Sequence, residues 1–312
     1  MKEAMTLYSR TGVVAHPDGA TAVTVGVFDG VHRGHLHLLQ QLATAPADLQ
    51  RLVVTLTSHP SFVLGRRSSE YWLDDADEHR QLLFAGGADY VCEMPFSAAV
   101  AAMSACDMVR WLHSHLSMRH LLLGYDSRFG SRSHDDFDRL PQEADALGIT
   151  LQRGMPYAVD GAPISSSRIR ATLEAGQVDA TAELLGRPYA LRGAVLHGRG
   201  VGHTLGFPTA NIDLGATRKM LPREGVYAVL AYAADGMPRV GMANLGAAPT
   251  FGVEKALLEV HLLDYCGDLY GQTMSVQFVR RLRDIIHFDN PQALEEQLRQ
   301  DLQQCRQLCP TP

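Results

Sequence analysis

Near residue 186 the chain changes its hydrophobic period, and no single kind of layer can pack both halves. Upstream, from Ala22 to about Gly186, short β-rich runs alternate with stretches whose apolar residues recur at helical spacing. Residues 22–28 (AVTVGVF) read as a buried strand, Leu36, Leu38, Leu39 and Leu42 as the apolar side of a helix, and 52–57 (LVVTLT) as the next strand. Such a βαβ unit demands a parallel sheet covered by helices. The pattern continues with a helix over 74–83, a strand over 88–94, a helix over roughly 97–116, a strand over 120–126 and helical periodicity over 165–185.

Downstream, Gly and Pro punctuate strand-like runs near 189–197, 208–214, 225–234, 238–246, 257–264 and 273–281. That spacing predicts a small antiparallel barrel. Asn290 and Pro291 then supply the N-cap and first residue of a final helix through Cys305. The turn at 186–189 (GRPY) sets the expected boundary, giving domains 1–187 and 188–312. A length of 312 residues agrees with two cores.

The net charge of −6 excludes a nucleic-acid binder held by counterion release, so any polyphosphate must be neutralised locally. Five cysteines without a CxxC pair form neither a disulfide framework nor a zinc pattern, which fits a reducing cytoplasm. Neither a signal-peptide core nor the ~20 apolar residues of a membrane span is present, so the expectation is a cytoplasmic chain with no membrane partner.

Residues 26–35 (GVFDGVHRGH) fall between the first strand and the first helix, where free N–H groups and a helix dipole of roughly +0.5 charge await an anion. With a helix starting near His32, the rings of His32 and His35 point the same way, and Gly34 lets a phosphate approach the backbone. Two imidazoles there can follow charge moving onto an α-phosphate and a leaving pyrophosphate. A second cluster, 164–170 (ISSSRIR), opens the last helix of this half. Ser166 and Ser167 can cap it or bind phosphate, and Arg170 offers a fork for phosphate oxygens. Each admits a plainer reading: a metal half-site or coincidence in a chain with 14 histidines, and an ordinary helix cap with solvated arginines.

In the second half, 198–211 (GRGVGHTLGFPTAN) is too rich in glycine for a helix or strand and can wrap phosphates in a main-chain nest. It lacks the GK[ST] of a Walker loop. Thr209 and Asn211, two apart, share one side of an extended chain and offer neutral oxygens to Mg²⁺ beside phosphates. Alternation over 257–262 puts Leu257, Glu259 and His261 on one face and Leu258, Val260 and Leu262 on the other. Glu259 is then either solvated surface or an acid that orients an acceptor hydroxyl and takes its proton late. A glycine-rich hairpin with a polar turn is the plainer reading of the loop.

Together the first-half pieces resemble the HxGH nucleotidyltransferase superfamily, whose members transfer nucleotidyl groups on a doubly wound α/β fold. More closely, GVFDGVHRGH, 59–62 (HPSF), 124–130 (GYDSRFG) and ISSSRIR are similar to the adenylyltransferase half of the bacterial bifunctional riboflavin kinase/FAD synthetase family, over nearly all of 20–187. The resemblance implies that His32 and His35 stabilise the transferring phosphate. It implies ATP contacts at Gly26, Phe28, Asp29, Gly34 and Asp126, with Ser166, Ser167 and Arg170 holding the triphosphate. Gly124 and Asp126 are implied beside nucleotide or flavin, and Phe62 at the flavin. Ser127 departs from the pattern, since an aromatic follows the Asp in many relatives.

The runs 206–212 (GFPTANI), 221–229 (LPREGVYAV), 243–252 (ANLGAAPTFG), 259–264 (EVHLLD) and 269–271 (LYG) follow, in order, the riboflavin kinase half of the same family, over 186–307. This part of the resemblance implies a six-stranded antiparallel β-barrel with a C-terminal helix. ATP is implied at Gly198, Gly202, Gly206, Pro208, Thr209 and Asn211, Mg²⁺ at Thr209 and Asn211, and flavin at Arg283. Glu259 is implied as base for the ribityl 5′-hydroxyl. His203 and Ala248 stand where relatives usually carry Arg. The expectation is therefore a transferase with Mg²⁺ as cofactor and ATP as co-substrate, whose partners are riboflavin, FMN and ATP, with self-association left open. It would phosphorylate riboflavin to FMN and adenylylate FMN to FAD. The alternative keeps the adenylyltransferase alone, with the two arginine changes having silenced the barrel, and a sensor without turnover is a third reading.

Overall fold

The computed structural model describes residues 5–58, 71–127, 138–197, 207–215, 217–250 and 253–309. The chain divides into two compact units, Met1–Ser166 and Ser167–Pro312. The first contains β1 (Thr6–Ser9), β2 (Gly12–Val14), β3 (Thr21–Gly26), α1 (Arg33–Leu42), β4 (Gln50–Leu56), α2 (Ala76–Ala85) and β5 (Tyr90–Met94). It continues with α3 (Ala98–Ala102), α4 (Ala105–Leu116), β6 (Met118–Leu123), α5 (Leu140–Ala146), β7 (Thr150–Arg153) and the ribbon β8 (Ala158–Val159) with β9 (Ala162–Pro163).

Seven strands form one sheet in the order β2-β1-β5-β4-β3-β6-β7. The neighbours from β5 to β7 are parallel, and β1 and β2 extend the edge antiparallel. Alternation sends Val23, Leu52 and Val54 to one face, where Val109, Leu112 and Leu116 of α4 cover them. Val53 and Val91 go to the other face, against Leu39 of α1 and Leu83 of α2. Both faces are buried, which is the doubly wound arrangement expected from the sequence.

The helix expected over 97–116 is two helices. Met103 is extended, and Ser104 starts a new cap by accepting from the Asp107 N–H. The single helical stretch expected over 165–185 likewise separates into α6 (Ser166–Glu174) and α7 (Val178–Leu185), with Gly176 between them at positive φ. The strands β1, β2 and β7 were not expected, because each is only three or four residues long and mostly exposed or half-buried.

In the second unit six strands close into an antiparallel barrel: β10 (Tyr189–Leu196), β11 (Ala210–Asp213), β12 (Gly225–Tyr232), β13 (Pro238–Thr250), β14 (Val253–Leu262) and β15 (Thr273–Arg283). The ring order is β10-β11-β14-β13-β12-β15, and β15 returns to β10 with Leu191 opposite Val276. Alternation along β12 sends Tyr227 and Val229 inward, where the Tyr227 ring meets Phe278 edge-on at 5.1 Å. Val226, Ala228 and Met242 point outward and pack against Cys305 and Cys309 near the end of α8 (Pro291–Leu308). Asn290 caps that helix by accepting from the Ala293 N–H at 2.8 Å. Gly193 permits the close crossing of β10 and β11, since a Cβ there would lie 2.0 Å from the Asp213 carbonyl oxygen.

A buried ion pair ties α8 to the barrel. Arg283, at the end of β15, donates Nε (2.9 Å) and Nη2 (2.7 Å) to Asp301 Oδ2, while Gln297 Nε2 donates to Oδ1 at 3.0 Å. Asp301 is 1% exposed and the Arg283 side chain 15%. Removing one partner of such a pair strands the other charge, at a cost of roughly 3–5 kcal/mol. Asp301→Ala should therefore lower the stability of the second unit by that amount in urea unfolding of the full chain. A loss under about 1 kcal/mol, the scale of an exposed pair, would show that the clasp is not what holds the helix.

Candidate active sites

In the first unit, β3 has β4 on one side and β6 on the other, and the helices that follow them cover opposite faces of the sheet. A crevice opens beyond the carboxyl ends of strands at such a switch point. Here it is a cleft of about 150 Å³. His32, Gly34, His35 and Leu38 line one wall, and Gly124 and Asp126, just past β6, line another. Met155 and Tyr157, past β7, and Ser166, at the start of α6, complete it.

The turn leading into α1 is held in a conformation that side chains seldom adopt. Phe28 (φ 52°) and Val31 (φ 32°) lie in the left-handed region beside Gly30 (φ 81°). Both apolar side chains are fully buried, and the Val31 N–H donates to the Phe28 carbonyl at 2.8 Å. Burial and the turn bond thus offset the backbone strain. Asp29 is also buried; its Oδ1 accepts from the Leu73 N–H at 2.8 Å and its carbonyl from the Ser166 hydroxyl at 3.0 Å. Gly26 lies beneath the Phe28 ring, which a Cβ would meet at 3.0 Å. Gly26, Phe28 and Asp29 therefore shape the turn from behind the cleft.

His32 is the N-cap of α1. Its Nδ1 accepts from the His35 N–H at 3.2 Å, so in the neutral ring the proton sits on Nε2. The two imidazoles are stacked, with centroids 3.6 Å apart and planes 14° apart, and the edge of Phe28 flanks His35 at 5.2 Å. Both rings thus face one side of the first helical turn, as the three-residue spacing predicts. Gly34 makes the stack possible, because a Cβ there would lie 3.1 Å from the His32 ring and 3.6 Å from the Ile164 carbonyl oxygen.

The wall after β7 was missed by the sequence reading. Gln41 clamps Met155 both ways, accepting from its N–H at 2.8 Å and donating to its carbonyl at 3.1 Å. Arg33 donates to the Tyr157 hydroxyl, and Arg153 donates to the Tyr125 carbonyl at 3.1 Å. Burial, together with the neighbouring Asp126 charge, pushes the Tyr125 phenol above its ordinary pKa. The signal available was the Gly-Met-Pro-Tyr run at 154–157, which follows a strand too short to recognise.

Of the remaining first-half expectations, Ser167 is exposed and Arg170 buried on α6, within the second unit. Phe62 lies outside the described residues, as do Gly198, Gly202, Gly206 and His203.

In the barrel, the strand register draws separate motifs into one transverse row. Asn211 on β11 pairs with Glu259 on β14, Glu259 with Asn244 on β13, Asn244 with Val226 on β12, and Val226 with Arg283 on β15. Directly paired residues project from the same face of a sheet, with neighbouring strands roughly 4.8 Å apart. The rows to either side run through buried Val260, Ala243 and Tyr227, and through Leu258 and Leu245, so this row faces out of the barrel. Glu259 stands half-buried on that outer face, with Asn211 beside it. Pro208 is exposed and Thr209 half-buried, and the His261 ring donates Nδ1 to the Pro208 carbonyl at 2.8 Å. His261 thus anchors the segment carrying Thr209 and Asn211, a role that alternation alone did not disclose. Asn244 was also missed, although it stands in a quoted motif, because the register linking it to Glu259 is not a local pattern.

Two family models match successive parts of the chain. Residues 15–168 match the family model described as FAD synthetase, and residues 185–309 the one described as riboflavin kinase. A Pseudomonas fluorescens protein named bifunctional riboflavin kinase/FMN adenylyltransferase is 37% identical over 291 residues, covering 91% of this chain and 92% of the relative. A Bacillus subtilis protein of the same name is 31% identical over 304 residues, covering 94% and 93%. A crystal structure from Streptococcus pneumoniae, named as a macrolide-efflux protein, shares the fold with a TM-score of 0.85 and 28% identity over 94% of this chain and 95% of its own. Its name stands apart from those of the sequence relatives; among the described residues, no helix here is long and apolar enough to cross a membrane.

The cap geometry is open to direct measurement. Long-range ¹H–¹⁵N spectra at neutral pH should show His32 as the tautomer protonated at Nε2. Gly34→Ala should abolish that signature by displacing the ring, while helix propensity, worth up to about 1 kcal/mol in favour of Ala, keeps the chain folded. A His32 carrying its proton on Nδ1 in the unaltered chain would contradict the cap.

Proposed function

The chain belongs to the bifunctional riboflavin kinase/FMN adenylyltransferase family, and from that premise we propose which residues carry each of its two reactions. It phosphorylates riboflavin to FMN, and it transfers an adenylyl group from ATP to FMN to give FAD and pyrophosphate. We assign adenylyl transfer to residues 1–187, phosphorylation to 188–312 and both to the cytoplasm.

For adenylyl transfer, an oxygen of the FMN phosphate attacks the α-phosphorus of ATP and the bond to pyrophosphate breaks. Negative charge grows on the α-phosphate oxygens and on the leaving group. His32 and His35 would donate to those oxygens, and the N-terminus of α1 would add its dipole. The stacked, co-directed imidazole pair at the switch point is the observation that carries this reading. Asp126 and Ser166 would position the nucleotide.

For phosphorylation, Glu259 would orient the ribityl 5′-hydroxyl and accept its proton as the oxygen bonds to the γ-phosphorus and ADP departs. Thr209 and Asn211 would meet ATP as its magnesium complex. The residues fit that ion, since neutral oxygens beside one carboxylate suit a cation whose other ligands are phosphate and water. Magnesium, when bound, supplies neutralisation of phosphate charge. Glu259 and Asn211 standing opposite each other on one face support the assignment.

Purified chain given riboflavin and Mg·ATP as sole substrates should yield FMN and then FAD on chromatographic separation. Were the barrel silent, FAD would form only from added FMN. Glu259→Gln should lower phosphorylation by roughly 10²- to 10⁴-fold and leave FMN adenylylation near normal, with His32→Ala doing the converse. Equal losses in both assays would refute the division of labour.

A further inference from the structure

We propose that Asn244 is a further positioning residue of the phosphorylation site, holding a secondary hydroxyl of the polyol acceptor on the side of Glu259 away from the ATP-binding strand. The inference rests on the reading of Glu259 as base.

The row geometry carries it. Glu259 has Asn211 one strand away on one side and Asn244 one strand away on the other. Asn211 belongs to the segment assigned to Mg·ATP, so the phosphoryl donor approaches Glu259 from that side. An acceptor whose terminal hydroxyl reaches Glu259 must extend along the other direction, over Asn244. Beyond Asn244 the row is closed: Val226 is buried under α8, and Arg283 is fastened to Asp301. Asn244 is thus the last polar position before that wall.

Its chemistry is unfinished in the structure. Asn244 Oδ1 is buried and has no hydrogen-bond partner. Its row neighbours cannot supply a donor, since an ionised Glu259 only accepts and Val226 is apolar. A buried carbonyl oxygen left unmet is costly, so a donor is expected from a molecule that arrives. A carboxamide both donates and accepts, as a hydroxyl does, and being neutral it does not compete with Glu259 for the transferred proton.

Steady-state phosphorylation by the full chain tests this, with riboflavin and ATP varied separately. Asn244→Ala should raise KM for riboflavin about 10-fold, the worth of one hydrogen bond, with KM for ATP and the FMN adenylylation rate changed less than about twofold. Riboflavin analogues lacking the 2′-, 3′- or 4′-hydroxyl then separate contact from structure: for one of the three, the penalty of Asn244→Ala should vanish. Three analogues that all keep the full penalty would show an indirect effect and overturn the contact. An unchanged KM for riboflavin, or a rise in KM for ATP instead, would overturn it too. Glu259→Gln is run alongside: full activity in that variant brings down the site itself, whereas its loss beside an unaffected Asn244→Ala brings down only this inference.

Discussion

A strand can send only every second residue to one face, and both units are governed by that limit. In the first unit both faces of the sheet are covered by helices, so Val53 and Val54 are both committed to packing. The central strands spend their side chains on packing, and the proposed reactive groups sit where strands end, at the turns after β3, β6 and β7. In the second unit the interior alternation is spent on Tyr227, Val260 and Leu258, which leaves the outward set available. One part of that outward set is covered by α8 and the other carries Asn211, Glu259 and Asn244. The two sites therefore differ in kind for one reason: a parallel sheet buried on both sides places function at its edge of reach, and a filled barrel places it on its skin.

The sequence disclosed what is local and periodic. The strand at 22–28 and the leucines of α1 were legible, as was the start of that helix at His32, because each repeats within a few residues. Glu259 was placed on the correct face by alternation alone. What stayed hidden needs partners far apart in the chain. β7 has no fully buried residue to give it a pattern, so the wall it leads to, with Met155 and Tyr157, went unseen. The short outer strands β1 and β2 expose residues such as Val13, at 67%, and owe their order to pairing rather than to alternation. Asn244 lay in plain view within a recognised motif; only strand register, set by barrel closure, brought it beside a carboxylate 15 residues further on.

An acidic chain that handles triphosphates must create positive potential locally. Under the proposed assignment the first unit would do so with a helix terminus and two stacked rings, and the arrangement constrains the rings. His32 spends its Nδ1 on the helix cap, which leaves the proton of the neutral ring on Nε2, and Gly34 is what allows the ring to lie against the backbone. Under the proposed assignment capping and catalysis would be joined in one side chain: the bond that starts α1 also selects the tautomer whose donor would meet a phosphate oxygen.

Arg283 shows the opposite economy. Family resemblance suggests it for the flavin, yet its fork is committed to Asp301, which is 1% exposed and receives its other support from Gln297. Releasing the guanidinium to a neutral ring system would gain about 1 kcal/mol from a new hydrogen bond and forfeit several by stranding a buried carboxylate. The balance keeps the pair closed. Arg283 can touch a flavin only while still holding Asp301, so its larger influence on the site is indirect: it fixes α8 against β12, and α8 is the wall at which the polar row ends.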